Sequence, residues 1–147
     1  MRTRLLKNSR GASAVEFATI LPLLVLMVFG IVELSFALYD KAMITNASRE
    51  GARGGIVYRV PAVTDAEIIG IVNNYLGSHL VTFSGKRSRG SDPVTGATVI
   101  VTRTGFSPGG ELRVRVGYLY NFLVLPRFTP GLGRGINMAA ETVMRME

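Results

Sequence analysis

The sequence predicts an α+β fold: a long N-terminal transmembrane helix, then a small head with a short helix and about four antiparallel strands. Three observations carry this. The apolar run from Ala12 to Tyr39 exceeds the about 20 residues needed to cross a bilayer. A helical period returns in "TDAEIIGIVNNYLGSHL". From Ser78 onward the period falls to two.

Residues 1–11 form a basic leader, 12–39 the transmembrane helix and 40–147 an extracytoplasmic head. Pro22 marks a kink site that membrane helices tolerate when neighbouring groups satisfy the freed carbonyl. Past Tyr39, Ala42, Met43, Ala47 and Ala52 keep roughly helical spacing, so the helix continues to about Arg53, where Gly54 and Gly55 stop it. In the second helix Thr64 or Asp65 is the N-cap and Glu67 sits in the first turn. Ile68, Ile71, Val72 and Tyr75 form its apolar face, and Gly77 ends it. The strand-like stretches are "HLVTFSG", "ATVIVTRT", "ELRVRVGYLYNFLV" and "INMAAETVMRME". In the third, Leu112, Val114, Val116 and Tyr118 alternate with Arg113, Arg115 and Gly117, as a sheet with one solvated face requires.

A length of 147 residues suits one small domain plus one membrane segment. The absence of cysteine excludes disulfides and thiol chemistry. The net charge of +7 is not a nucleic-acid signature. Arg2, Arg4, Lys7 and Arg10 supply four of the seventeen basic residues, and against ten acids the remainder carries only +3. Basic residues before an apolar span set topology: the leader stays in the cytoplasm and the head lies outside.

No set of residues converges on chemistry. His79 is the single histidine and has no GxSxG, HExxH or paired-acid motif near it, so no catalytic residue, metal site or cofactor is expected. "GARGG" and "GLGRG" do not connect a strand to a helix as a phosphate cradle must, and read as turns. "GKRSRG" reads as a solvated hairpin tip, lacking the interleaved aromatics of a nucleic-acid site. Glu33, near the far end of the span, reads as an acid at the outer interface, or one paired with a basic partner. Arg49 and Arg53, four apart on one helical face, can meet acids on a neighbouring subunit.

Glu16 is the unusual residue. As an acid within a turn of the interface it is tolerable in a plain signal anchor. The run is too long for an ordinary signal-peptide core, and "SFALYD" is a weak cleavage site. If instead the chain is cut between Gly11 and Ala12, the four leader charges leave and Ala12 becomes a free amine. Glu16 then lies one turn away, about 6 Å along the axis. Ammonium and carboxylate offset each other's desolvation within one chain or between staggered neighbours, a head-to-tail contact able to propagate. Small residues Ala12, Ser13, Ala14 and Ala18 permit close helix approach in lipid.

The basic leader, Gly11, Glu16, Phe17 and the apolar helix resemble the processing site of type IV prepilins. More narrowly, "RGASAVEFATILPLLVLMVFGIVELSFALYDKAMITNASREGARGG" resembles the TadE-like proteins, pseudopilins of the tight-adherence (Flp) pilus machinery, as does the ending "ETVMRME". Phe17 stands where such proteins often have tyrosine. The similar TadG-like proteins are much longer.

The resemblance implies a non-enzymatic assembly component in the cytoplasmic (inner) membrane, cleaved after Gly11 by a prepilin peptidase. Its partners would be the membrane, that peptidase, other pilins or pseudopilins and the pilus-assembly platform, with oligomerisation in the assembly and no nucleic acid. Glu16 then sets register, and Ala14, Phe17, Ala18, Leu21 and Pro22 belong to the helix-packing surface. Two alternatives stay open: an extracytoplasmic binding module or enzyme that uses residues 12–39 only as an anchor, and a secreted chain starting near Asp40.

Overall fold

A computed structural model of the chain describes residues 9–57, 59–77, 79–81, 83, 91–105, 109–124 and 135–146. The leader segment 1–8 and the "GKRSRG" loop lie outside them, as does most of "PRFTPGLGRG".

Helix α1 (Ser9–Gly55) spans 47 residues, about 70 Å at 1.5 Å per residue, and runs through Pro22. Its two halves differ in what surrounds them. From Gly11 to Val32 nearly every residue is exposed. From Glu33 onward a buried stripe appears at Glu33, Asp40, Ile44, Ala47, Ser48, Gly51, Ala52 and Gly55, the i, i+3, i+4, i+7 spacing of one helix face. The head packs along this stripe. The sequence-based face needs one change here: Ala42 is exposed, and Ile44 and Ser48 take the inner positions.

Helix α2 (Asp65–Leu76) starts at Thr64, whose side chain accepts from Glu67 N while the Glu67 carboxylate accepts from Thr64 N, a complete capping box. Arg59 and this cap together hold the Glu67 carboxyl down at about 2. The helix buries Ile68, Val72 and Leu76, whereas Tyr75 is exposed. The apolar face is thus rotated from the expected one, because α2 docks on glycines of α1. A Cβ at Gly51 would stand 2.5 Å from Val72 Cγ2, one at Gly54 2.6 Å from Ile71 Cδ1, and one at Gly55 2.5 Å from Ile68 Cδ1. The "GARGG" glycines are therefore not a turn but helical positions where α2 approaches the backbone of α1. Gly77 caps α2 with φ 47°, a conformation that penalises a Cβ, and its N–H reaches Asn73 O.

Strands β1 (Thr98–Arg103), β2 (Glu111–Asn121) and β3 (Gly135–Arg145) form an antiparallel sheet in the order β1-β2-β3. The predicted alternation in β2 holds: Leu112, Val114, Val116, Tyr118 and Tyr120 face the helices and are buried, and Arg113 and Arg115 face out. Arg103, almost enclosed at the end of β1, ties the sheet to the start of α2 through Asp65 Oδ1 at 2.6 Å.

The sheet has three strands among the described residues. The expected first strand, "HLVTFSG", does not form over His79–Val81, and Thr82, Ser84 and Gly85 lie outside the described residues. The reason is visible at Val81. Its N–H goes to Asp40 Oδ1 at 2.9 Å and its C=O accepts from Tyr118 Oη at 3.2 Å, so side chains satisfy the groups that a strand neighbour would. His79 stays local: its backbone N–H and Nδ1 both lie 3.0 Å from Leu76 O.

Candidate functional site: an unpacked apolar helix and its junction with the head

The residues expected to carry cleavage, register and helix packing all lie on the exposed half of α1. Gly11, Ala12, Ala14, Glu16, Phe17, Ala18, Leu21 and Pro22 are exposed and helical, and among the described residues the head does not cover them. Ala14, Phe17, Ala18 and Leu21 follow i, i+3, i+4, i+7 and so share one face, with two small and two large side chains. That pattern admits a neighbouring helix at close range, with Phe17 and Leu21 flanking it. Ala12 and Glu16 are four residues apart, one turn along the axis.

Two hydroxyls on the exposed surface of α1 are satisfied by the helix itself. Thr19 Oγ1 donates to Val15 O at 2.9 Å and Ser35 Oγ donates to Ile31 O at 2.7 Å, the back-bonds that let hydroxyls sit in an apolar setting. Among the described residues α1 is the one helix long and apolar enough to cross a membrane, and it fits a single-pass anchor.

The junction is built around two acids, one of which, Glu33, the sequence alone placed differently. Glu33 is not at an open interface: it is 4% exposed, and its carboxylate accepts the backbone N–H groups of Leu123 and Val124 just past β2. Tyr120 Oη donates to the Glu33 carbonyl at 3.0 Å. Seven residues on, Asp40 is fully buried and accepts Val81 N–H with Oδ1, while Oδ2 has no hydrogen-bond partner. Helix α1 thus supplies the acceptors that the two irregular segments need. The signal for this was present in the i, i+7 spacing of two acids on one face, but their partners are distant in sequence.

An aromatic chain seals the junction edge to face. Phe36 and Phe83 have centroids 5.7 Å apart, Phe83 and Tyr120 6.5 Å, and Tyr120 and Phe122 5.3 Å. Burial, with Glu33 and Asp40 nearby, pushes the Tyr120 hydroxyl up to about 12, so it remains a donor. Toward β3, Lys41 Nζ donates to Ala139 O, and Ser48 and Thr142 share a hydroxyl hydrogen bond of 2.8 Å. Arg49 and Arg53 are both exposed on the helix surface.

Burial raises the Asp40 carboxyl to about 6 against an ordinary 3.8, with the Val81 N–H bond pulling it partway back. A raised folded pKa means that the protonated acid favours the fold. This contribution is complete below about pH 4 and is lost as pH rises through about 6. Asp40→Asn keeps an oxygen for Val81 and removes the titration. The stability of Asp40→Asn relative to wild type is therefore expected to improve as pH rises from about 4 to about 7, measured by denaturant unfolding in micelles. A pH-independent difference between the two would refute it.

Among the described residues no three His, Asp or Glu side chains come together as a metal site. Residues 11–53 match the model of the TadE-like protein family. The match covers the exposed half of α1 and most of its buried stripe, and a TadE-like segment implies a component associated with Tad pili. No curated protein and no solved structure matches the chain significantly.

Proposed function

Because its N-terminal helix is TadE-like, we propose that this chain is a pseudopilin-type structural and assembly component of a tight-adherence (Flp, type IVb-like) pilus or a related secretion apparatus. In this reading it sits in the inner membrane by α1 with the head outside, and a prepilin peptidase cuts after Gly11. The observation that carries the reading is the contrast within α1. The half from Glu33 to Gly55 buries one face in its own head, while Gly11–Val32 offers an apolar surface, with Glu16 its one acid, to something other than its own chain.

Cleavage would set the Ala12 ammonium beside the Glu16 carboxylate, and the Ala14, Phe17, Ala18, Leu21 face beside the next helix. Every copy carries both charges, so a stagger that pairs Glu16 of one with Ala12 of the next repeats without closing. The head does no chemistry in this role. It fixes where the helix leaves the membrane and presents the sheet to partners. Glu16→Ala should leave cleavage and membrane insertion intact but lose assembly, whereas a plain anchor would not register the change.

The test is intact-mass analysis of the protein from membranes of its native host, as wild type and as Gly11→Ala. The expected wild-type mass lacks the first eleven residues, and the substitution restores them. A full-length wild-type chain would defeat the pseudopilin reading in favour of a signal anchor; a mass beginning near Asp40 would make this a secreted domain.

A further inference from the structure

We propose that the base of the head is itself a lipid-docking surface, seated in the headgroup–acyl boundary through Leu123, Ile136 and Phe83 beside α1. The proposal rests on the reading of α1 as a membrane anchor and adds a second membrane contact to it.

The argument begins with lengths. Counted from Gly11, a hydrocarbon core of about 30 Å is crossed by about 20 residues, which ends near Ile31. Exposed apolar side chains nevertheless continue at Leu34, Phe36, Leu38 and Tyr39. No basic residue intervenes between Arg10 and Lys41. Their separation along the helix is about 45 Å, the thickness of a bilayer with its headgroup layers included. The stretch from Glu33 to Tyr39 therefore lies in the boundary layer, and the head is already packed against it there.

The head residues at that level follow from the contacts. Leu123 N–H is bound by the Glu33 carboxylate, and Tyr120 by the Glu33 carbonyl. Ile136 is the register partner of Tyr120, and Phe83 stacks edge-on to Phe36. Leu123 is 51% exposed and Ile136 42%, with Phe83 similarly open. These side chains extend the apolar surface of the helix sideways rather than forming an isolated patch.

The backbone supports the same conclusion. Irregular segments at membrane depth must satisfy their polar groups within the protein. Here the N–H groups of Leu123 and Val124 go to Glu33, Val81 N–H goes to Asp40 and Val81 C=O to Tyr118.

The chain contains no tryptophan, so single reporters are unambiguous. The full chain is reconstituted in phosphatidylethanolamine–phosphatidylglycerol vesicles whose acyl chains carry bromine either near the headgroup or deep. Leu123→Trp and Ile136→Trp report the base, Leu24→Trp the span and Val143→Trp the part of the head farther from the membrane. Quenching of both base reporters several-fold stronger than that of Val143→Trp, and greater with shallow than with deep bromine, is the expected result. If Leu24→Trp is quenched while both base reporters match Val143→Trp, the docking proposal falls and the anchor stands, leaving the base to a second copy or another protein. If Leu24→Trp is not quenched either, the anchor reading falls and takes the proposal with it.

Discussion

Glu33→Ala is expected to cost about 2–4 kcal/mol of head stability, because it orphans two part-buried donors at once and each unsatisfied N–H costs about 1–3 kcal/mol. The Glu33 carboxylate receives both Leu123 and Val124 N–H groups, and no side chain of the shortened residue can replace it. Glu33→Gln keeps an oxygen acceptor and loses only the charge-assisted part of the bonds, so its cost should be roughly half as large. Denaturant unfolding in micelles gives the magnitudes. Hydrogen exchange at the Leu123 and Val124 amides locates the effect, since these amides should lose protection in Glu33→Ala before those of the β2 centre do. Equal stability of Glu33→Ala and wild type would mean that Glu33 is an ordinary interfacial acid, one of the two readings the sequence left open.

Gly51→Val is the second large effect, at about 3 kcal/mol destabilising, from overpacking a contact that has no room to relax. Even a single carbon at Gly51 would meet Val72 Cγ2 at 2.5 Å, with Val114 Cγ1 and Ile68 Cγ2 close behind at 3.4 and 3.5 Å. All three neighbours are fully buried, so they cannot swing into solvent. Two further substitutions separate this clash from helix propensity. Gly70 lies in α2 with open space for 4 Å around the point where a Cβ would stand, so Gly70→Ala should gain up to about 1 kcal/mol from propensity alone. Gly51→Ala combined with Val72→Ala should be less damaging than the two single costs added together, a coupling of about 1 kcal/mol between residues in contact. Additive costs would show that α1 and α2 do not meet this closely.

Features set by local periodicity and composition were legible in the amino-acid order. The apolar run marked the membrane-competent half of α1, the Thr64–Glu67 spacing marked the start of α2, and the alternation of Leu112, Val114, Val116 and Tyr118 with arginines marked the inner face of β2. Each needs only neighbours within a turn or a pleat, so a window of residues carries the information. Gly11, Ala12 and Glu16 stand out by the same local spacing as an expected cleavage site and register acid, and in the structure all three lie on the exposed half of α1. Other features emerge only once the chain is folded, because they depend on pairs far apart along it. A buried acid at Glu33 is costly until it meets Leu123 and Val124. The glycines Gly51 and Gly55 look like a turn until α2 is laid across them, and the Val81 backbone groups that a strand would pair with a neighbour are bound by Asp40 and Tyr118 instead. Long-range burial changes the cost of a polar group or a missing side chain, and that cost does not follow from the residue and its sequence neighbours.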